Sequence, residues 1–245
     1  MPIKLWEATE DQKNKSNLFK YENFLHKRYK IKFNKNYSKL HDWSIKNPEK
    51  FWNSIWDFSK VKGKKNEKFY KSKELFKNRF FINSKLNFAE NLLSKKDNSK
   101  AITFINENGY KEIRKWNELN LNVGKISFYL KKINIKEKDR VAAYLPNLIE
   151  TVESFLATVS IGAIWSSCSP DFGVNGVIER FAQIKPKVLI LCDRYYYNGK
   201  QINVIDKLNP ILKKIKSIKN VIIINYPGKK HIKFKKNKYR RIIYK

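Results

Sequence analysis

Residues 140–173 read RVAAYLPNLIETVESFLATVSIGAIWSSCSPDFG. The apolar run at 141–145 has the length of a buried strand. Pro146 stops strand pairing and suits a first helical position, where no backbone donor is needed. The spacing of Leu148, Val152, Phe155, Leu156, Val159 and Ile161 predicts a helix with Glu150 and Glu153 turned outward. Gly162 punctuates it, and a second apolar run, Ala163-Ile164-Trp165, feeds a polar loop at 166–173. Strand, helix and strand in this order predict a parallel βαβ unit. Ligands of open α/β sheets bind beyond the carboxyl ends of the strands, so this loop is the first candidate for chemistry.

Outward from that unit the alternation continues. Residues 174–184 read as a helix stopped by Pro186, and 188–192 (VLILC) as a buried strand. A loop is expected at 193–200, then a helix through Val204, Leu208, Ile211, Leu212 and Ile215 disturbed at Pro210, and a last strand at 221–224. Upstream, 101–105 and 110–114 read as strands joined through Asn106-Glu107-Asn108-Gly109, where Asn-Gly favours a hairpin because both residues tolerate positive φ. Trp116, Leu119, Val123, Ile126 and Leu130 mark an amphipathic helix.

The first part of the chain reads as a helical appendage. Leu18, Tyr21, Leu25 and Tyr29 share one face, Ser38 is a candidate N-cap, and Pro48 starts a helix striped by Phe51, Trp52, Ile55 and Trp56. Residues 60–73 read as a lysine-rich solvated linker, and Asn87 as the cap of a short helix. The expected organisation is a helical region at 1–95, an α/β region at 96–228 and a basic tail at 229–245 without an organised apolar face.

Composition narrows the function. The 245 residues carry a net charge of +31, from 53 basic and 22 acidic side chains. Arginine, which grips phosphate or guanine with two bonds at once, stands only at 28, 79, 114, 140, 180, 194, 240 and 241. The lysines are spread along the chain, so no specific nucleic-acid partner is expected; a basic polyanion-binding module is the alternative class. No apolar run reaches the length of a membrane span. His26, His41 and His231 lie far apart and no CxxC pair occurs, so no metal site is expected. Two cysteines, Cys168 and Cys192, and no secretory signal point to the reducing cytoplasm.

Three blocks then carry a resemblance: Arg79-Phe80-Phe81 with Leu86-Asn87-Phe88-Ala89-Glu90-Asn91, the segment Asp139-Arg140-Val141-Ala142-Ala143-Tyr144-Leu145-Pro146-Asn147, and above all Trp165-Ser166-Ser167-Cys168-Ser169-Pro170-Asp171-Phe172-Gly173. Together they resemble the acetoacetate–CoA ligases of the adenylate-forming acyl-CoA synthetase superfamily, over about residues 2–228. The resemblance implies an α/β fold: the partial N-terminal domain of an adenylate-forming enzyme, with parallel βαβ units behind the helical appendage. It also implies a two-step reaction. Acetoacetate attacks the α-phosphate of ATP with help from Mg2+, releasing pyrophosphate, and the CoA thiol then displaces AMP.

The resemblance further implies residue roles. Arg194, Tyr197 and Lys200 fall in the segment that meets the phosphates of CoA in related enzymes. Tyr197 and Lys200 stand where relatives use arginine; Lys200 supplies a point charge there and Tyr197 supplies none. An ordinary surface loop with stacked aromatics is the equal alternative for this segment. Ser167, Cys168, Ser169, Asp171 and Phe172 are expected to border the acyl or CoA channel without bond chemistry; a plain strand-to-helix turn is the alternative. No catalytic residue is assigned. A Gly-rich phosphate loop of the Thr-Ser-Gly-Thr-Thr-Gly type is missing from the sequence. The expectation is therefore the N-terminal portion of a longer ligase, inactive alone; one half of a split ligase that assembles with a second chain, the missing C-terminal half, is the alternative. The chain's uncovered strand edge is expected to favour aggregation or dependence on a partner.

Overall fold

The structure, a computed structural model, describes residues 5–227 and 241–244. The chain forms two compact units that part between Leu86 and Asn87.

In the first unit, α1 (Glu10–Lys15) opens with a capping box between Thr9 and Gln12, and α2 (Asn17–Tyr29) is capped by Ser16. Helix α3 (Tyr37–Lys46) is capped by Asn36, whose side chain accepts from the Lys39 amide; Ser38 lies inside the first turn, two positions too late to cap. Pro48 starts α4 (Pro48–Phe58). Tyr21, Leu25, Phe33 and Leu40 form the core, with Phe24, Trp43, Phe51 and Ile55 packed on it. Leu18 is exposed, and Phe24 takes the place expected for it. The tryptophan stripe is packing surface: Trp56 meets Phe81 at a ring separation of 4.8 Å and Trp52 meets Phe80 at 5.8 Å. Residues 60–73 are not a bare linker. Strand β1 (Gly63–Lys64) pairs antiparallel with β2 (Lys85–Leu86), and Tyr70 bridges to Arg79. A Cβ on Gly63 would sit 2.6 Å from the Lys85 carbonyl oxygen, so only glycine permits that approach.

The second unit begins with α5 (Phe88–Leu92), capped by Asn87. Strands β3 (Lys100–Ile105) and β4 (Lys111–Lys115) form the expected hairpin, although only Gly109 of its turn takes a positive φ, +77°. Helix α6 (Trp116–Lys132) buries Leu119, Val123, Ile126 and Leu130. Then follow β5 (Arg140–Tyr144), α7 (Ile149–Ser160), β6 (Ile164–Cys168), α8 (Val174–Ile184), β7 (Val188–Cys192), β8 (Arg194–Tyr197), β9 (Lys200–Asn203), α9 (Leu208–Lys214), β10 (Asn220–Ile224) and β11 (Arg241–Tyr244).

Five of these strands pair in parallel in the order β11-β10-β7-β5-β6. Counted by appearance the order is 5-4-3-1-2, a doubly wound sheet whose direction of winding reverses between β5 and β7. Helix α7 packs with α5 and α6, and α8 packs with α9, as crossovers of one hand on opposite faces require.

Several local expectations are corrected. Pro146 precedes α7 instead of starting it: the Leu148 amide bonds the Pro146 carbonyl in a tight turn, and the helix begins at Ile149. Ser166, Ser167 and Cys168 belong to β6, in register with Ala142, Ala143 and Tyr144, because an edge strand pairs its backbone without needing apolar side chains. Residues 193–200 are no loop; β8 and β9 form a hairpin around Asn198 (φ 51°) and Gly199 (φ +72°), both left-handed as a type I′ turn requires. Pro210 does not disturb α9, since it sits in the first turn, where amides lack intrahelical partners anyway. The sheet also continues past 221–224: Arg241-Ile242-Ile243-Tyr244 pairs with β10, a β-prone run hidden among lysines. The rest of the expected basic tail, residues 229–240 and Lys245, lies outside the described residues.

Glu153 is the largest correction. It was expected to face solvent, but it is 0% exposed. Helix α7 is covered by α5 and α6 as well as by the sheet, so its polar stripe also meets protein. Arg114 and Asn122 make that burial tolerable by pairing the carboxylate.

Candidate functional site

The parallel strands end level with one another: Tyr144 is in register with Cys168 and Leu191, and Cys192 with Ile224. The winding reverses at β5 and β7, where an open sheet leaves a crevice for ligands. Tyr144 closes β5 there. Its hydroxyl donates to the carbonyls of Pro170 (2.9 Å) and Phe172 (2.5 Å). The Lys207 ammonium donates to the Tyr144 oxygen and to the Pro170 carbonyl, each at 2.9 Å. The turn after β6 is thereby tied to the end of β5 and to the 3₁₀ turn Ile205–Lys207 ahead of α9.

Within that turn the Ser169 hydroxyl donates to the Asp171 carboxylate at 2.8 Å, and the Tyr195 phenol bonds the same carboxylate. Burial, helped by Asp171, pushes the Tyr195 phenol up to about 12, and burial pushes Tyr144 higher still. Arg180 stacks its guanidinium over Phe172, 4.1 Å from the ring centre. Burial raises the Cys168 thiol to about 11 and also drives the Cys192 thiol upward. Both thiols stay protonated at neutral pH, so neither is an activated nucleophile. The structure thus gathers Cys168, Ser169, Asp171 and Phe172 at one strand end, with Ser167 exposed on β6.

The β8–β9 hairpin stands beside this turn through Tyr195. Tyr197 and Lys200 face each other across its tip, both exposed. Arg194 does not join them. It pairs with Asn203 at the far end of the hairpin, is 5% exposed, and directs Nε toward Asp193 Oδ2 at 3.8 Å. The tip is held from outside by a residue the sequence did not single out. Glu107, in the β3–β4 turn, accepts from the Asn198 amide through Oε2 and from the Gly199 amide through Oε1, each at 2.9 Å. The same turn is fixed by Asn106, whose Oδ1 accepts from the amides of Asn108 and Tyr110 at 3.0 Å and which bonds the Tyr226 phenol. Tyr226 in turn packs on Tyr196 at a ring separation of 5.4 Å.

A second polar cluster lies beneath α7. Glu153 Oε1 meets Arg114 Nε at 2.9 Å and accepts from Asn122 at 2.8 Å; Arg114 also pairs with Glu112 at 3.0 Å, which accepts from the Tyr110 phenol at 2.9 Å. Burial pushes the Glu153 carboxyl up to about 7, against the pull of Asn122 and Arg114, and raises Glu150 as well.

Sequence reasoning missed Tyr144, Lys207 and Glu107. Their partners lie 26 to 92 positions away, beyond any local pattern. The hairpin itself was findable, because Asn198-Gly199 carries the same signal as Asn108-Gly109. Among the described residues, no group of three or more His, Cys, Asp or Glu side chains is placed to hold a metal ion, and no helix is long and apolar enough to cross a membrane.

Comparison with known proteins adds a family context. A profile described as AMP-binding enzyme matches residues 91–241. The acetoacetyl-coenzyme A synthetase of Rhizobium meliloti (strain 1021) is 42% identical over 193 residues, which is 78% of this chain and 29% of that protein. The acetoacetyl-CoA synthetase of Xenopus tropicalis is 42% identical over 196 residues, with the same coverage. A malonamoyl-CoA synthetase of Penicillium aethiopicum is 32% identical over 197 residues, covering 77% and 27%. The solved acetoacetyl-CoA synthetase from Streptomyces lividans superposes with a TM-score of 0.86 at 26% identity, over 94% of this chain and 36% of that one. The chain therefore spans about 29% of the length of the curated synthetases it matches.

Proposed function

This chain belongs to the AMP-binding enzyme family, and we propose that it supplies the part of an acetoacetate–CoA ligase that seats CoA and the acid. The observation that carries the reading is the switch point between β5 and β7, beyond whose strand ends the Ser169–Phe172 turn is bonded to Tyr144 and, through Asp171, to Tyr195 of the β8–β9 hairpin. The reaction proposed for the complete ligase joins acetoacetate and CoA at the expense of ATP, through an acyl-adenylate. Lys200, exposed at the hairpin tip, is the proposed point charge for a CoA phosphate, and Tyr197 opposite it offers a ring face. Arg194 is assigned a different role. Its burial beside Asp193 fits it to hold the hairpin root, where Asp193 also accepts from the Tyr226 amide at 2.8 Å.

Ser167, Cys168, Ser169, Asp171 and Phe172 are proposed to wall the acyl or CoA channel. Asp171 spends its carboxylate on Ser169 and Tyr195, which orients the turn and leaves it no part in proton transfer. ATP with Mg2+ supplies the activation of the acid in such a ligase. The nucleotide-handling part of such a ligase is the proposed complement of this region. The cytoplasm is the proposed compartment, supported by two buried, unpaired cysteines.

The test is calorimetric titration of the full chain with CoA, with and without Lys200→Ala. Saturable binding, weakened about tenfold by the substitution and further by salt, is expected. Mixing the chain with ATP, Mg2+, acetoacetate and CoA should release no AMP unless the complementary part is added. Absence of saturable CoA binding overturns the reading.

A further inference from the structure

The Asn198–Gly199 turn has two consecutive amides that hairpin pairing leaves pointing outward, because the strand register closes on Tyr197 and Lys200. Successive amides of this kind in left-handed residues form a concave seat for an anion. In this molecule the seat is filled from within, by Glu107, one carboxylate oxygen to each amide. Two charge-assisted bonds from a residue about ninety positions away are a strong and directional constraint on an exposed two-residue turn.

We propose that Glu107 is a positioning residue for Lys200: it clamps the hairpin tip so that the lysine is presented to the CoA phosphate in one place. The assignment rests on the CoA reading given above. Three features support it. Both Glu107 oxygens are engaged by amides and neither by Lys200, which has no ion pair among the described residues, so the ammonium keeps its donors for a ligand. The clamp is itself anchored, since Asn106 fixes the turn that carries Glu107 and bonds the Tyr226 phenol. Tyr226 packs on Tyr196 of the same hairpin, so the tip is held at the turn and on the strand at once. Ordering the lysine before the ligand arrives removes part of the entropy cost of binding.

The test compares the full chain with Glu107→Ala and Glu107→Gln by hydrogen–deuterium exchange and by titration with CoA and with 3′-dephospho-CoA. In E107A, exchange at 194–203 should accelerate while 140–144 and 188–192 keep their protection, which also reports that the variant is folded. CoA affinity should fall about tenfold and 3′-dephospho-CoA affinity by less, so that the preference between them shrinks. E107Q, which still offers an oxygen to the turn, should recover most of both. Unchanged exchange at 194–203 in E107A overturns the positioning role alone. Accelerated exchange with CoA affinity unchanged in both E107A and K200A overturns the CoA assignment of Lys200, and the positioning role with it.

Discussion

Strand β7 and hairpin β8–β9 are separated by a single residue, Asp193, yet different forces hold them. Every side chain of β7 is apolar or a thiol and fully buried between β5 and β10, where removal from water supplies the stability. The hairpin is mostly tyrosine and polar residues; its root packs on the core through Tyr195, Tyr196 and Ile202, while its exposed tip is held by two bonds from Glu107. The first kind of attachment has no charge to screen or titrate. The second is local and adjustable, which suits a segment proposed to meet a charged ligand.

That contrast can be broken or sharpened by substitution. The largest effect is expected for Ile190→Ala in β7, a residue fully buried in register with Ala143 and Ile222. It should cost roughly 3–4 kcal/mol of unfolding free energy in a urea titration, the range for such cavities. A cost near zero would show that the sheet is not the stabilising layer.

Glu153→Gln sharpens the comparison, because it places one titrating group inside the apolar layer. A carboxyl at about 7 in the folded chain, against an ordinary 4.5, binds its proton more tightly folded than unfolded. Its stabilising contribution is therefore full below about pH 4.5 and is lost as the pH rises to about 7, by up to roughly 3 kcal/mol. Melting the chain at steps from pH 5 to 8 should reveal that decline in the wild type and a flatter profile in E153Q. Identical profiles would remove Glu153 from the account. The smallest effect is expected for Tyr144→Phe, which deletes the hydroxyl joining Pro170, Phe172 and Lys207. Roughly 1–2 kcal/mol should be lost, with faster exchange confined to 169–173 and 205–207.

What the sequence made legible follows the same division. Apolar runs such as VLILC at 188–192 and the periodic stripe of α6 announced the buried strands and their helices, because burial imprints a pattern on neighbouring residues. Glu153 escaped that logic. Its spacing on α7 reads as an outer face, and only the packing of α5 and α6 over that face buries it. The turn beyond the end of β6, and the membership of Ser169, Asp171 and Phe172 in it, were readable from the βαβ order. The contacts that fix the site were not, since Tyr144, Lys207 and Glu107 act on segments far away in the chain. Arg194 is the opposite case. A charged residue in a polar segment reads as exposed, whereas its place in the β8 register buries it.

Strand β6 ends the sheet, and among the described residues nothing pairs with its outer side. The Ile164 amide and the Cys168 carbonyl turn inward to β5, so the alternate groups, on Trp165 and Ser167, face away from it. Such a rim invites another backbone to lie alongside. A second copy would have to bring its own +31 charge to that rim, so like-sign repulsion guards it where geometry does not. Keeping these molecules apart is then a task for the surrounding electrolyte as much as for the fold: dilute salt preserves the mutual repulsion, and concentrated salt withdraws it.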